Sequence, residues 1–203
     1  MAEGAAGATA RGPGRRPGSP DTRNAILAVA RELFAHRGFG GTSVRAIAAQ
    51  AGVDPALVHH YFGTKNDLFV AALELPVDPR QVIAPILAEG ADGAGERLLR
   101  AFLSVWEDPE VRFALLGVVR GFLEPDGHRL LTEGFLPTVL VPAGAALGVD
   151  EPERRMPLVA SQVIGLIMTR YVLEVPAIAA MSADEVVATY APLVQHFLTD
   201  PLP

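Results

Sequence analysis

The sequence contains no cysteine. Disulfides, thiol catalysis and Cys-ligated metals are excluded, and a reducing compartment suits the chain. Lysine is nearly absent too: of 17 basic residues only Lys65 is not an arginine. That bias, with the abundant alanine, hints at a GC-rich genome, a coding effect that carries no function. No proline-free apolar run is long enough to cross a bilayer. The best candidate, residues 158–175, contains Gln162, Arg170 and Glu174 and reads as a buried or interface helix. The N-terminus has no apolar signal core, so we expect a cytoplasmic protein with no membrane partner. Catalytic signatures are missing as well. There is no G-x-S-x-G, no H-E-x-x-H, no G-x-x-x-x-G-K-[ST] and no E-x-x-H of a di-iron bundle. We expect no catalytic residues, no metal and no cofactor.

The charge that is present is unevenly placed. Residues 1–75 hold eight basic and six acidic side chains, a net +2, whereas residues 76–203 hold nine and seventeen, a net −8. A basic N-terminal part suits contact with phosphates, and an acidic remainder would keep the body off them. Residues 1–20, rich in Gly, Ala and Pro, cannot bury a core and read as a disordered basic tail. Its Arg11, Arg15 and Arg16 fit either an arm that reaches a minor groove or phosphates, or a solvated leader. Residues 21–75 read as a small helical domain and residues 76–203 as a larger helical body, with Pro76 and Pro79 at the boundary. In the body we expect helices at about 80–89, 95–107, 110–123, 127–147, 154–174 and 183–198. Pro85, Pro137 and Pro142 fall inside such stretches and should kink or interrupt them. No alternating pattern with hairpin signals appears, so the fold class is all-α.

The segment TSVRAIAAQAGVDPALVHHYFGTK, residues 42–65, is the most informative. Thr42 suits the N-cap of a short helix, whose Val44, Ile47, Ala48 and Ala51 form one apolar stripe. Gly52 tolerates the left-handed backbone that ends it. Asp54 can cap a second helix, with Pro55 in its first position. That is the grammar of a helix-turn-helix, whose second helix enters the DNA major groove. A longer helix should precede it over about 22–37, with Ile26, Leu27, Ala30, Leu33 and Phe34 inward and Gly38 as its stop. A fourth begins near Thr64, with Leu68, Phe69, Ala72 and Leu73 inward. The GFGGTS stretch follows no strand and precedes no Lys, so it reads as a helix stop followed by a cap.

The ordered series AILAVARELFAHRGF, T-S-V-R-x-I-A, A-G-V and H-H-Y-F-x-T-K-x-D-L-F, from about Thr22 to Leu73, resembles the TetR family of transcriptional regulators. The resemblance implies an all-α protein: an N-terminal three-helix helix-turn-helix DNA-binding domain and a larger C-terminal helical domain for ligand binding and dimerisation. It implies a repressor that binds a pseudo-palindromic operator as a homodimer and is released by a small molecule.

With Val58 and Phe62 taken inward, about 100° per residue leaves Pro55, Ala56, Leu57, His59 and His60 to face the groove. This surface is small, apolar and imidazole-rich. Ala56 and Leu57 could touch thymine methyls, and the histidines could donate to phosphates or a guanine edge. Adjacent histidines diverge too far around a helix to chelate one metal. Arg45 is the strongest base reader, bidentate to guanine, and fits a phosphate equally well. The resemblance assigns phosphate contacts to Thr42, Ser43, Tyr61, Thr64 and Lys65. Ala56 and His59 stand where many members have Gly and Tyr, so no known operator carries over.

In the body, the resemblance places the dimer interface on the last two long helices, with Val159, Val163, Leu166, Ile167, Tyr190, Val194 and Phe197 as candidates. It places an inducer cavity among the middle helices, where Phe102, Trp106, Phe113, Arg120, Phe122, Phe135 and Met168 are candidates. The same apolar residues fit a packed core. Their chemistry points to a lipophilic or aromatic effector.

Overall fold

The computed structural model describes residues 20–203, and all of its regular structure is helical. The tail expected over residues 1–20, with Arg11, Arg15 and Arg16, lies outside the described residues except for Pro20, which opens the first helix. That helix, α1, spans Pro20–Gly41, and Gly38 (φ 68°, ψ 171°) breaks it one turn before its end. The break falls where the sequence places the stop. Helices α2 (Val44–Ala51), α3 (Pro55–Phe62) and α4 (Lys65–Ala72) follow at short intervals. Asp54 caps α3 by accepting from the Ala56 amide. The same Asp-Pro start recurs at α5 (Pro79–Ala88) and α7 (Pro109–Leu123), where Asp78 and Asp108 accept from first-turn amides. Proline lacks an amide that would be orphaned there, and the carboxylate satisfies the ones that remain. Between them, α6 spans Ala94–Trp106.

The helix expected over 127–147 changes register instead of kinking. Residues Leu130–Leu140 are π-helical, and α8 (Val141–Ala146) continues from them with Pro142 in its first turn. Pro137 has no N–H, and its ring clashes with a carbonyl one α-turn back; a wider turn relieves the clash. The Thr138 hydroxyl donates to the Gly134 carbonyl at 2.8 Å and the Thr132 hydroxyl to His128 at 3.0 Å, taking up acceptors that the wider turn frees. Helix α9 (Pro152–Ile167) likewise runs into a π turn, Met168–Val172, with the Thr169 hydroxyl on the Gly165 carbonyl at 2.7 Å. A short α10 (Pro176–Ala179) and a long α11 (Ala183–Thr199) complete the chain. Ser182 and Glu185 form a capping box at the start of α11.

One apolar core joins α1–α4 to the body. Ile26, Ala30, Phe34, Ile47, Ala48, Val58, Leu68 and Phe69 are buried in it, together with Leu130 and Val139 of the π-helical stretch. Phe34 and Phe39 stack at 5.7 Å, and Phe69 meets both edge-on. Phe69 also lies so close to Gly134 that a Cβ there would sit 2.2 Å from its ring. At the end of α4, Glu74 adopts φ 51° and turns the chain away, its carboxylate meeting Arg31 of α1. A second core lies among α6, α8, α9 and α11, and a third gathers around Trp106, Leu115 and Tyr171.

Candidate nucleic-acid interface

In α2, Ser43 rather than Thr42 is the N-cap: its hydroxyl accepts from the Ala46 amide at 3.1 Å. Thr42 is 2% exposed, and its hydroxyl donates to the carbonyls of Leu33 and Gly38. Its side chain therefore ties α2 to the broken end of α1 and cannot reach a phosphate. Beside the break at Gly38 the Thr42 amide bonds the Phe39 carbonyl, which leaves the Gly38 carbonyl for the Thr42 hydroxyl and turns the threonine inward. Arg45 is exposed at the second position of α2, with no ion pair among the described residues.

Val58 and Phe62 are buried and root α3 in the core. Ala56, His59 and His60 are exposed, and Pro55 and Leu57 are half-buried at the edges of that face. His59 sets Nδ1 2.8 Å from the Gly63 carbonyl. Only a protonated nitrogen bonds an acceptor, so Nδ1 carries the proton and Nε2 is left outward. His60 stands edge-on to Tyr61 at 5.6 Å. The Tyr61 hydroxyl, given a phosphate role above, is shielded from solvent and has no hydrogen-bond partner among the described residues. A buried hydroxyl without a partner costs about 1–3 kcal/mol. Tyr61→Phe should therefore leave the thermal midpoint unchanged or raise it, with DNA affinity unaltered. A loss of affinity at unchanged stability would mean that the hydroxyl swings out to a phosphate.

Thr64 and Lys65 are also differently employed. Thr64 caps α4 in a reciprocal box with Asp67, its hydroxyl donating to Asp67 Oδ2 at 2.6 Å. Hydrogen bonds from Thr64 and then Arg80 hold the Asp67 carboxyl down at about 2. Asp67 is thus ionised near neutrality and occupies the helix end that a phosphate would use. Arg80, between Asp67 and the α5 cap Asp78, offsets that charge. The Lys65 ammonium lies 4.2 Å from the centre of the Phe39 ring, and burial lowers its pKa. The geometry thus brings Ser43, Arg45, Pro55, Ala56, Leu57, His59 and His60 to one surface and turns Thr42 and the Tyr61 hydroxyl away from it. A cleft of about 930 Å³ flanks this surface, lined by Thr22 and Ala25 of α1, Gly52 in the turn, and Ala56, Leu57 and His60 of α3.

The seven effector candidates do not converge. Phe102 lies beside buried Trp106, which stacks on Tyr171 at 4.9 Å. Phe122 and Phe135 pack instead against the core of α1–α4. Phe113 is 81% exposed and Arg120 is also exposed, both on the outer face of α7. Met168 is half-buried where α9 becomes π-helical. Helix α7 is apolar on more than one face, so periodicity alone did not separate inside from outside. The sequence reads Tyr171 as part of the apolar face of the helix over 154–174, whereas it belongs to the Trp106 cluster and its hydroxyl donates to Glu107 Oε1 at 3.0 Å. Sequence reasoning missed Leu75, which joins that cluster to the core of α1–α4.

The dimer candidates divide similarly. Val159, Leu166 and Val194 are closed inside the protomer, because α9 and α11 pack on each other as well as on α6 and α8. Val163, Ile167, Tyr190 and Phe197 are half-buried, and Ile164 and Leu193 are the exposed large apolar residues of these two helices.

Two family models match the chain. One, described as bacterial regulatory proteins of the tetR family, covers residues 26–72, and the other, a tetracyclin repressor-like C-terminal domain, covers residues 92–198. The chain is similar to the HTH-type transcriptional repressor Rv3405c of Mycobacterium tuberculosis, 38% identical in a 92-residue alignment that covers 42% of this chain and 49% of that protein. It is also similar to the HTH-type transcriptional regulator HbdR of Aromatoleum sp., 33% identical over 86 residues, 42% of this chain and 36% of that protein. The match thus spans half or less of the length of these curated relatives. Among solved structures, a TetR-family regulator from Streptomyces coelicolor, SCO0857, is 41% identical, with 92% of this chain and 99% of that one covered and a TM-score of 0.47.

Proposed function

Because the chain belongs to the TetR family, we propose that it is a transcriptional repressor which binds a pseudo-palindromic operator as a homodimer and is released by a small lipophilic or aromatic molecule. The observation that carries the reading is the surface made by Ser43, Arg45 and the exposed face of α3, rooted by buried Val58 and Phe62. Two such surfaces, related by a dimer axis, would enter successive major grooves. Ile164 and Leu193, flanked by Val163, Ile167, Tyr190 and Phe197, support a dimer through α9 and α11. The aromatic cluster of Phe102, Trp106 and Tyr171 supports an effector site, and Leu75 gives it a packed connection to α4. An effector there would act only by preferring the state that cannot bind DNA, since equal affinity for both shifts nothing.

The test is a gel-shift titration against the intergenic DNA beside the chain's own gene, with unrelated DNA as competitor. A salt-sensitive shift with two chains per site supports the reading, and absence of any preference over competitor removes it. Arg45→Ala separates the two roles open to that residue. If Arg45 grips a guanine, the variant should lose about 1–3 kcal/mol of discrimination at one base pair of each half-site. If it grips a phosphate, binding should weaken on all sequences alike, with a smaller salt slope.

A further inference from the structure

The tip of α1 carries a cation that neither the sequence motifs nor the family match assigns to DNA binding. Arg23 is exposed, and its guanidinium carbon lies 5.1 Å from the centre of the Phe62 ring. Phe62 is the last residue of the recognition helix and is itself buried, so it is a fixed platform. A guanidinium stacked on an aromatic face keeps its N–H groups in its own plane, pointing away from the ring. The contact with the Phe62 ring therefore holds the charge in place without consuming its donors. No ion pair engages Arg23 among the described residues, in contrast to Arg31, Arg80, Arg97, Arg100, Arg129, Arg154, Arg155 and Arg170. Its neighbours Thr22 and Ala25 line the cleft that Ala56, Leu57 and His60 line from the other side. The first turn of α1 is thus a wall of the recognition surface.

We propose that Arg23 is a DNA-binding residue that grips a backbone phosphate flanking the groove entered by α3, held ready by the Phe62 ring. This rests on the repressor reading above. It adds a contact outside the helix-turn-helix, and one that fixes register rather than reading sequence. The arrangement also explains what the face of α3 lacks. Its small side chains and two imidazoles bring no permanent positive charge, and Lys65 nearby is drawn over Phe39. A guanidinium stays charged at any working pH, so Arg23 supplies at the end of α3 what the helix itself does not.

The experiment is the salt dependence of affinity for a duplex of arbitrary sequence, measured for the wild type, Arg23→Gln, Arg23→Lys and Arg45→Ala. Each phosphate neutralised contributes about 0.9 to the slope of log affinity against log salt, or about 1.8 for the two subunits of a dimer. Over a fourfold rise in salt the wild type should therefore lose about 12-fold more affinity than Arg23→Gln. Arg23→Lys should recover most of that slope, and the thermal midpoint should not move. A wild-type slope in Arg23→Gln overturns the proposal. So does weaker binding at an unchanged slope, which would make Arg23 a prop for α3 and nothing more. Failure of the repressor reading is distinguishable, because the wild type would then bind no duplex and Arg45→Ala would change nothing.

Discussion

Gly95→Val should cost about 3 kcal/mol of stability, a large part of what holds a domain of this size folded. Gly95 stands in the first turn of α6, against α11, and the two form the most extensive helix pair of the structure. A Cβ on Gly95 would lie 2.7 Å from the Ala191 carbonyl oxygen and 2.8 Å from the Gln195 amide nitrogen. Both are main-chain atoms of α11, so no rotamer change relieves the contact and the helices must separate. Separation also breaks a hydrogen bond at 3.0 Å from the Gly95 amide to the Gln195 side chain, whose own amide donates to the Ala91 carbonyl. That loss adds about 1 kcal/mol. Urea unfolding should show a lowered midpoint, with Gly95→Ala between the two. If the proposed dimer forms through α11, which carries Tyr190, Leu193 and Phe197, the variant should also dissociate more readily on dilution. A wild-type midpoint in Gly95→Val would mean that α6 and α11 leave room for a side chain between them.

The second large effect is expected at Arg170, which is 8% exposed. From the π turn after α9 it donates to the carbonyls of Ile178 at 2.7 Å, Ala179 at 3.3 Å and Met181 at 2.8 Å, and to Glu107 Oε1 at 3.0 Å. One side chain thus fastens the α10 segment and the end of α6 to the π turn. Arg170→Met keeps much of the aliphatic volume but strands these acceptors, at about 2–4 kcal/mol once partial access of water to them is allowed for. The pH dependence gives an independent readout. Burial pushes the Glu107 carboxyl up, but the bonds from Arg170 and Tyr171 outweigh it and hold the group below the usual glutamate range. A depressed folded pKa stabilises above the unfolded value and loses that contribution as pH falls through the folded one. The wild type should therefore shed this stability on the acid side of the ordinary glutamate range, and Arg170→Met should shed less. Parallel pH profiles for the two proteins would remove Glu107 from the account.

The first four helices were legible because they are bounded by residues with one plain conformational use: Gly38 and Gly52 as stops, and Asp54 with Pro55 as a start. Adjacent Thr42 and Ser43 are both good caps, and only the carbonyl left open at Gly38 decides between them. The π-helical stretches left no trace in hydrophobic spacing, because one extra residue per turn is lost among residues that are apolar on several sides. The same breadth hid the inner and outer faces of α7, α9 and α11, so that Phe113 read as inside and Val194 as outside. Arg23 was invisible for another reason: its significance lies in a ring 39 positions further along the chain.

The core shared by α1–α4 and the π-helical stretch also bears on the order in which the chain can assemble as it leaves the ribosome. Leu130 and Val139 close over Leu33, Phe34 and Phe69, yet Leu130 is made 57 residues after Leu73. At about 5–20 residues per second, the first four helices wait roughly 3–11 s with that apolar surface uncovered. For that interval the first four helices stand without the residues that complete their core, and a nascent chain offers chaperones the apolar surface that Leu130 and Val139 later close.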